Sequence, residues 1–457
     1  MKLKLDDNYH DFLKKNRYIS NKMILCDQTA SNIPLKYVEN FLTKYIYPYY
    51  TNTHSNNYLG RKMAKYIKES REYILQSVNG NCEEHCVIFD GAGASGVINH
   101  LVHLIKPSLK NTVVFVSIYE HYSNYLPWEA IRNETGLELV ILDINSDGLI
   151  DLDNFENKLK FYSDRNKIAS LSACSNVTGV IQDTVNLSKL CNKYNTKLFF
   201  DYAASAPYVK MDIRLCDAIF LSPHKFPGGH STPGLLICKK LLPCNKLSYT
   251  PSGGTVRFCS KNEVIYSGDI EIKESGGTPN IIGIIKTGLI FRIKDYYIDQ
   301  IIKDEHEKTT FFQKELLKIS CKNLIILNPI ENTKRLPIFA IQIKKKDNSF
   351  YHYNYIVALL SDLFNIYTRG GVSCAGIFAQ KLLDLNDYQT NKIKENIINN
   401  KGTPSNYGWC RITLNSIHTK KDLLFIIKAI KYICKNAYKY ENMYKYNSKK
   451  NIYDKIN

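Results

Sequence analysis

Lys225 stands in the segment SPHKFPGGHSTPG, residues 222–234, beside His224 and just after the apolar run Ala218 to Leu221. A lysine at the end of a short buried run is placed to meet an aldehyde rather than solvent, and its amine can condense with one to form a Schiff base. Further segments supply the groups such chemistry needs. Asp201 closes the run KLFF and could hold a heterocyclic nitrogen protonated, which lets the ring accept electrons released at a substrate α-carbon. His121 follows VVFVSI, where an imidazole could lie over a flat ring and relay a proton. Asn176, after the run at 168–172, has an amide able to bond a phenolic oxygen, while Ser222 and His224 flank the lysine and can reach a phosphate. In DGAGASG, residues 90–96, small side chains permit close backbone approach and lead into a helix start, so Ala94 and Ser95 are candidate phosphate donors. Aldehyde, protonated heterocycle, phenolic oxygen and single phosphate together describe pyridoxal phosphate. Gly91, Gly93 and Gly96 also satisfy the dinucleotide pattern GxGxxG, with Glu120 as a ribose-binding acid, but that reading leaves Lys225 and His224 unexplained.

These residues need a frame that brings strand ends together. Short β-branched runs at 86–90, 113–118, 137–143, 168–172, 197–200, 218–221 and 234–238 alternate with helical or turn segments. That rhythm predicts an α/β fold with a mostly parallel central sheet and flanking helices, whose ligands bind at the carboxyl ends of the strands. Helices are expected near 35–44, over 61–78 and from about Pro279 onward. Strands near 336–343 and 411–415, with helices near 351–363 and 421–437, read as a smaller C-terminal α+β domain. The expected division is an N-terminal arm at 1–25, a large cofactor-binding domain at 26–298, a small domain at 299–440 and a polar, flexible tail at 441–457.

Composition narrows the classes. At 457 residues with 44% hydrophobic content the chain can build a sizeable core. No run approaches the roughly 18 apolar residues of a membrane span, and the opening MKLKLDDNYHDFLKK lacks a signal peptide's apolar stretch. Thirteen cysteines without regular spacing suit a reducing compartment, so the cytoplasm is expected. Cys82, His85 and Cys86 do not have the spacing of a zinc knuckle, and no metal site is expected. The net charge of +18 is spread widely rather than gathered, which fits a cleft that draws in an anionic cofactor and a carboxylate substrate better than it fits nucleic acid. Only the stretch from Tyr438 to Asn457 interleaves aromatics with lysines as a base-stacking surface would.

The combination resembles the class V aminotransferase and cysteine desulfurase family, over roughly residues 22 to 420. Ser222, Pro223, His224 and Lys225 are similar to its lysine signature, Gly93 to Ser95 to its phosphate cup, EHYSN with His121 to its stacking histidine, and Asn176 and Asp201 to its cofactor-binding asparagine and aspartate. The resemblance implies pyridoxal phosphate in a fold type I homodimer. Thr255, in PSGGTV, then matches the threonine that completes the neighbouring subunit's phosphate site. Arg411, in GWCRITLN, matches the arginine that grips a substrate carboxylate. CDQTAS at 26–31 and TNTHS at 51–55, with His54, resemble its N-terminal cofactor-side and substrate-side loops. Cys374, in YTRGGVSCAG, resembles the nucleophilic cysteine of the desulfurases. It implies conversion of L-cysteine to L-alanine with a persulfide on Cys374, and a sulfur-acceptor protein that the sequence does not identify. One departure stands out: many desulfurases have a glutamine three positions after the pyridine-binding aspartate, and this chain has Ala204. Transamination, racemisation or elimination without Cys374 remain alternatives, as does a non-catalytic scaffold or nucleic-acid-binding protein.

Overall fold

A computed structural model describes residues 3–20, 22–327 and 333–456. Its centre is a sheet of seven strands: β1 (His85–Asp90), β2 (Thr112–Ser117), β3 (Glu138–Leu142), β4 (Asn166–Ser172), β5 (Thr196–Asp201), β6 (Ala218–Leu221) and β7 (Gly234–Lys239), in the spatial order β1-β7-β6-β5-β4-β2-β3. Only β7 runs antiparallel to its neighbours. The sheet is covered on both faces, which explains runs that are apolar throughout rather than alternating. Successive residues of one strand enter different cores: Val113 and Phe115 pack on one side with Phe200 and Leu221, Val114 and Val116 on the other with Phe199 and Phe220. With β1 to β6 all pointing the same way, the ends at Asp90, Ser117, Ser172, Asp201 and Leu221 share one edge.

A second, antiparallel sheet follows: β8 (Leu324–Leu327), β9 (Ile338–Ile343), β10 (Arg369–Gly371) and β11 (Trp409–Thr413), ordered β8-β9-β11-β10. It packs with the helices Tyr353–Phe364 and Lys420–Asn436 into a core of its own, containing Phe339, Ile356, Leu360, Ile412 and Ile430. The helix Ile281–Leu317 joins the two bodies. Its first half, with Ile284, Leu289 and Ile293, lies in the large core, while Phe312 and Leu316 lie in the small one. The boundary expected at 298/299 therefore falls inside one continuous helix.

Both chain ends are more structured than their composition suggests. In the N-terminal arm the helix Tyr9–Asn16 buries Tyr9, Phe12 and Leu13, and Ile24–Leu25 pairs with Ile366–Tyr367. The segment expected as a flexible tail forms an antiparallel hairpin, β12 (Tyr444–Asn447) and β13 (Ile452–Lys455). Among the described residues no helix is long and apolar enough to cross a membrane.

Candidate active site

One cavity opens at the shared strand edge, and Ala94, Ser95, His121, Asn176, Asp201, Ser222, His224, Lys225 and Arg411 all line it. The fold explains each position. Asp201 ends β5 and is buried, with Oδ1 accepting the Ala203 N–H at 2.8 Å. Burial raises its carboxyl above the ordinary range, against the opposing pull of that N–H and of Lys225. Lys225 follows β6 on a short helical turn, Pro223–Lys225, whose carbonyl at Lys225 accepts the side-chain amide of Asn32 at 3.0 Å. Desolvation lowers its amine to about 8, with Asp201 resisting and Arg411 and Arg369 adding to the fall. A large neutral fraction near pH 8 is what a nucleophilic amine needs.

His121 caps the helix Tyr122–Thr135: the Ser123 N–H donates to its Nδ1 at 3.1 Å. Burial brings it down to about 4, helped by the charges of Lys225, Arg369 and Arg411, so the imidazole is neutral at pH 7. The Ser123 hydroxyl lies 2.9 Å from the same Nδ1 and 2.5 Å from Ser95 Oγ, connecting the imidazole to the glycine-rich cup. Beneath it Glu120 is buried, accepting from the Ser172 N–H and hydroxyl at 2.8 and 2.5 Å, the Ser117 hydroxyl at 2.6 Å and the Asn124 amide at 2.8 Å. Burial pushes it up to about 7. A carboxylate so enclosed cannot reach a ribose, which removes the dinucleotide reading.

The cup is the start of the helix Gly93–Ile105, which has no side-chain cap. Gly91 and Gly93 take positive φ, and a Cβ on Gly93 would come within 2.8 Å of Ser222 Oγ and 3.1 Å of His224 Nε2. The Ala94 N–H donates to Ser222 Oγ at 2.8 Å. Burial and the nearby Lys225 lower His224 to about 4.

Arg411 sits in β11 opposite Arg369 of β10. It is buried, with Nη2 donating to Asp27 at 2.8 Å and Nη1 to the Asn176 carbonyl at 3.1 Å, leaving Nε unpartnered. The loop after β10 brings Ser373 into the cavity wall and Cys374 beside it, partly exposed. Ser373 and Cys374 both take φ near +55°, +55° and +56° respectively, a region where a non-glycine residue is strained by about 1–3 kcal/mol and persists only when held. They are held: the Ser373 carbonyl accepts the Asn176 amide at 2.8 Å, its hydroxyl accepts the Trp409 indole N–H at 3.2 Å, and the Cys374 carbonyl accepts the Tyr122 N–H at 2.8 Å.

Besides Cys374, which lies next to the lining rather than in it, two expected residues are not brought to this cavity. His54 is exposed and bonds the Gly277 carbonyl at 3.0 Å, because its loop packs along the 252–278 segment instead. Thr255 is buried, and its hydroxyl donates to the Ser252 carbonyl at 2.7 Å. The two lie close to one another, for a Cβ on Gly254 would meet the His54 ring at 3.0 Å. Conversely, the local sequence reading missed Asp27 as a partner of Arg411 and Ser123 as a link; only the segments CDQTAS and EHYSN pointed near them.

The aminotransferase class-V family model matches residues 24–424. The chain belongs to the class-V aminotransferase family. A protein of Borreliella burgdorferi named "Probable cysteine desulfurase" is 30% identical over 383 residues, covering 80% of this chain and 86% of that one. One of the same name from Pyrococcus abyssi is 28% identical over 327 residues, covering 68% and 75%. The fold matches the apo structure of a cysteine desulfurase from Thermococcus onnurineus NA1, with a TM-score of 0.78 at 21% identity over 95% of this chain and 99% of the other. It also matches the desulfurase CsdA of Escherichia coli, with a TM-score of 0.73 at 21% identity over 93% and 97%. This class-V chain is a pyridoxal-phosphate-dependent, desulfurase-like enzyme. Its cavity suits that cofactor. The uncapped helix start, with Ser222 and His224 crowding Gly93, is a cradle for one phosphate, and a buried Asp201 short of donors gains from a cationic ring nitrogen.

Proposed function

We propose that this class-V enzyme takes the sulfur from L-cysteine, releases L-alanine and keeps the sulfur on Cys374. The observation that carries the reading is the pinned loop: a partly exposed cysteine directly follows Ser373, which lines a cavity that also presents Lys225, His121 and two guanidinium groups. Pyridoxal phosphate, when bound, supplies the sink that stabilises charge at the substrate's α-carbon. Gly93, Ala94, Ser95, Ser222 and His224 would hold its phosphate, Asp201 would keep the ring nitrogen protonated, and His121 would pack against the ring. Asn176, at the cavity wall, would bond the phenolic oxygen, the role that Ala204 cannot fill.

Arg411 orients the amino acid by its carboxylate, with Arg369 as a second cation from the facing strand. The amine of Lys225 takes the α-proton and returns it, which its value of about 8 permits near neutral pH. Cys374 as thiolate attacks the substrate sulfur: the new S–S bond forms, the Cβ–S bond breaks with its electron pair left on carbon, and a proton completes alanine. A partly exposed persulfide stays open to an acceptor protein's thiol. The reading extends to a homodimer, because Thr255 and His54 stand together away from their own cavity, as residues serving a partner's site would. Thirteen free cysteines suit a reducing cytoplasm.

The test is the Cys374→Ser enzyme given L-cysteine. Alanine and sulfide formation should fall at least about a hundredfold with cofactor content unchanged, and mass spectrometry of the wild type should find the extra sulfur on Cys374. Full alanine turnover without the thiol would remove Cys374 from the reaction, pyruvate with ammonia and sulfide would show elimination instead, and a keto acid that retains the sulfur would show transamination.

A further inference from the structure

The family match stops at residue 424, and the hairpin β12–β13 lies beyond it. Its turn residue Asn451, at φ +52°, is held through three of its polar atoms. The side-chain amide donates to Tyr353 Oη at 3.1 Å, the backbone carbonyl accepts from the Asn354 amide, and Oδ1 accepts the Tyr446 hydroxyl at 2.9 Å. Tyr446 Oη in turn accepts the Thr403 N–H at 3.1 Å. Rings seal the joint, with His352 at 4.8 Å from Tyr446 and Tyr355 at 5.3 Å from Tyr453. The hairpin thus grips the start of the helix Tyr353–Phe364.

That helix start leaves no slack beneath the catalytic loop. A Cβ on Gly370 would fall 1.9 Å from Asn354 Oδ1 and 2.8 Å from the Tyr353 ring, and one on Gly408 would fall 2.5 Å from the same ring. Gly370 directly follows Arg369 in β10, and Gly408 precedes Trp409, whose indole N–H holds Ser373. Contact therefore runs without a gap from the hairpin, through Tyr353 and Asn354, to the strands under Arg369 and Cys374.

We propose that the C-terminal hairpin is a positioning element, whose Asn451 and Tyr446 fix Tyr353 and Asn354 against Gly370 and Gly408 and so hold the strained loop that carries Cys374. The proposal rests on the sulfur-transfer reading for its effect on turnover, but its structural part stands apart from it. Without the grip the loop leaves its left-handed conformation, and a thiol displaced by about 1 Å loses about a hundredfold in rate.

The test uses the full-length enzyme, cofactor-loaded and cofactor-free, as Asn451→Ala and as Tyr446→Phe. Hydrogen exchange followed by mass spectrometry should quicken about tenfold or more across 369–376, with 93–105 and 222–226 unchanged. Alkylation of Cys374 by iodoacetamide should change several-fold, and kcat for cysteine should fall about ten- to a hundredfold with cofactor content intact. Unchanged exchange at 369–376 in both variants, or loosening shared equally by the large sheet, overturns the proposal whatever the activity. If Asn451→Ala does not fold, Tyr446→Phe, which deletes one oxygen, carries the same test. A wild-type enzyme that forms no persulfide would refute the proposed function, while the exchange pattern would still judge the hairpin.

Discussion

Lys225 is tuned by neighbours of opposite effect, and this gives its chemistry a pH signature. Only the neutral amine attacks an aldehyde, so the rate of cofactor capture by the apoprotein should rise with pH and level off just above about 8, where desolvation has brought the amine. A lysine in water would keep gaining up to about 10.4. Because Asp201 holds the value up and Arg369 and Arg411 push it down, Asp201→Asn should move the inflection lower and Arg369→Gln higher. Stopped-flow absorbance across pH 6.5 to 10 checks both signs. A profile that climbs steadily past about pH 9.5 would mean the amine is not desolvated. Lys225→Ala should abolish capture, and borohydride reduction followed by peptide mapping should find the cofactor on no other lysine.

The glycine-rich cup sets a prediction at the scale of an element. Gly93 takes φ +61° and faces Ser222 and His224 at distances a Cβ would violate, so Gly93→Ala must both strain the backbone and push those side chains away. We expect cofactor affinity to fall about tenfold or more and stability to drop by about 1–3 kcal/mol, measured by equilibrium dialysis and calorimetry. The strands leading to this cup were legible because both sheet faces are buried: the run expected at 218–221 is the strand Ala218–Leu221, and that expected at 113–118 is Thr112–Ser117. Lys225, Asp201 and His121 could be placed because each directly follows such a run. The Arg411–Asp27 pair could not, since its partners lie 384 residues apart and leave no local pattern. The C-terminal hairpin was hidden for another reason. Its tyrosines pack their rings while their hydroxyls find partners far away in sequence, so a packed hairpin has the composition of a solvated tail. The hairpin of Val256–Cys259 and Val264–Tyr266 also escaped notice, being largely exposed and so without a buried face to impose alternation.

At the scale of the whole molecule, that last hairpin exposes an apolar ribbon. Phe258, Val264 and Ile265 are 50%, 51% and 44% exposed, in the hairpin that begins next to Thr255, which stays outside the cavity of its own chain. An apolar ribbon of this kind is a feature of contact surfaces, and a two-fold dimer would use it twice. Sedimentation should therefore give a dimer, and subunit mixing tests whether Thr255 works across it. Lys225→Ala chains lack the amine but retain Thr255, whereas Thr255→Ala chains have the reverse defect. In a mixed dimer, one cavity then combines Lys225 from one chain with Thr255 from the other, and the second cavity has neither. Equal mixing and reassembly should yield half mixed dimers with one intact cavity of two, so about a quarter of wild-type activity should return above that of the parent variants. If Thr255 instead served its own chain, every cavity in the mixture would keep one defect, and mixing would restore nothing.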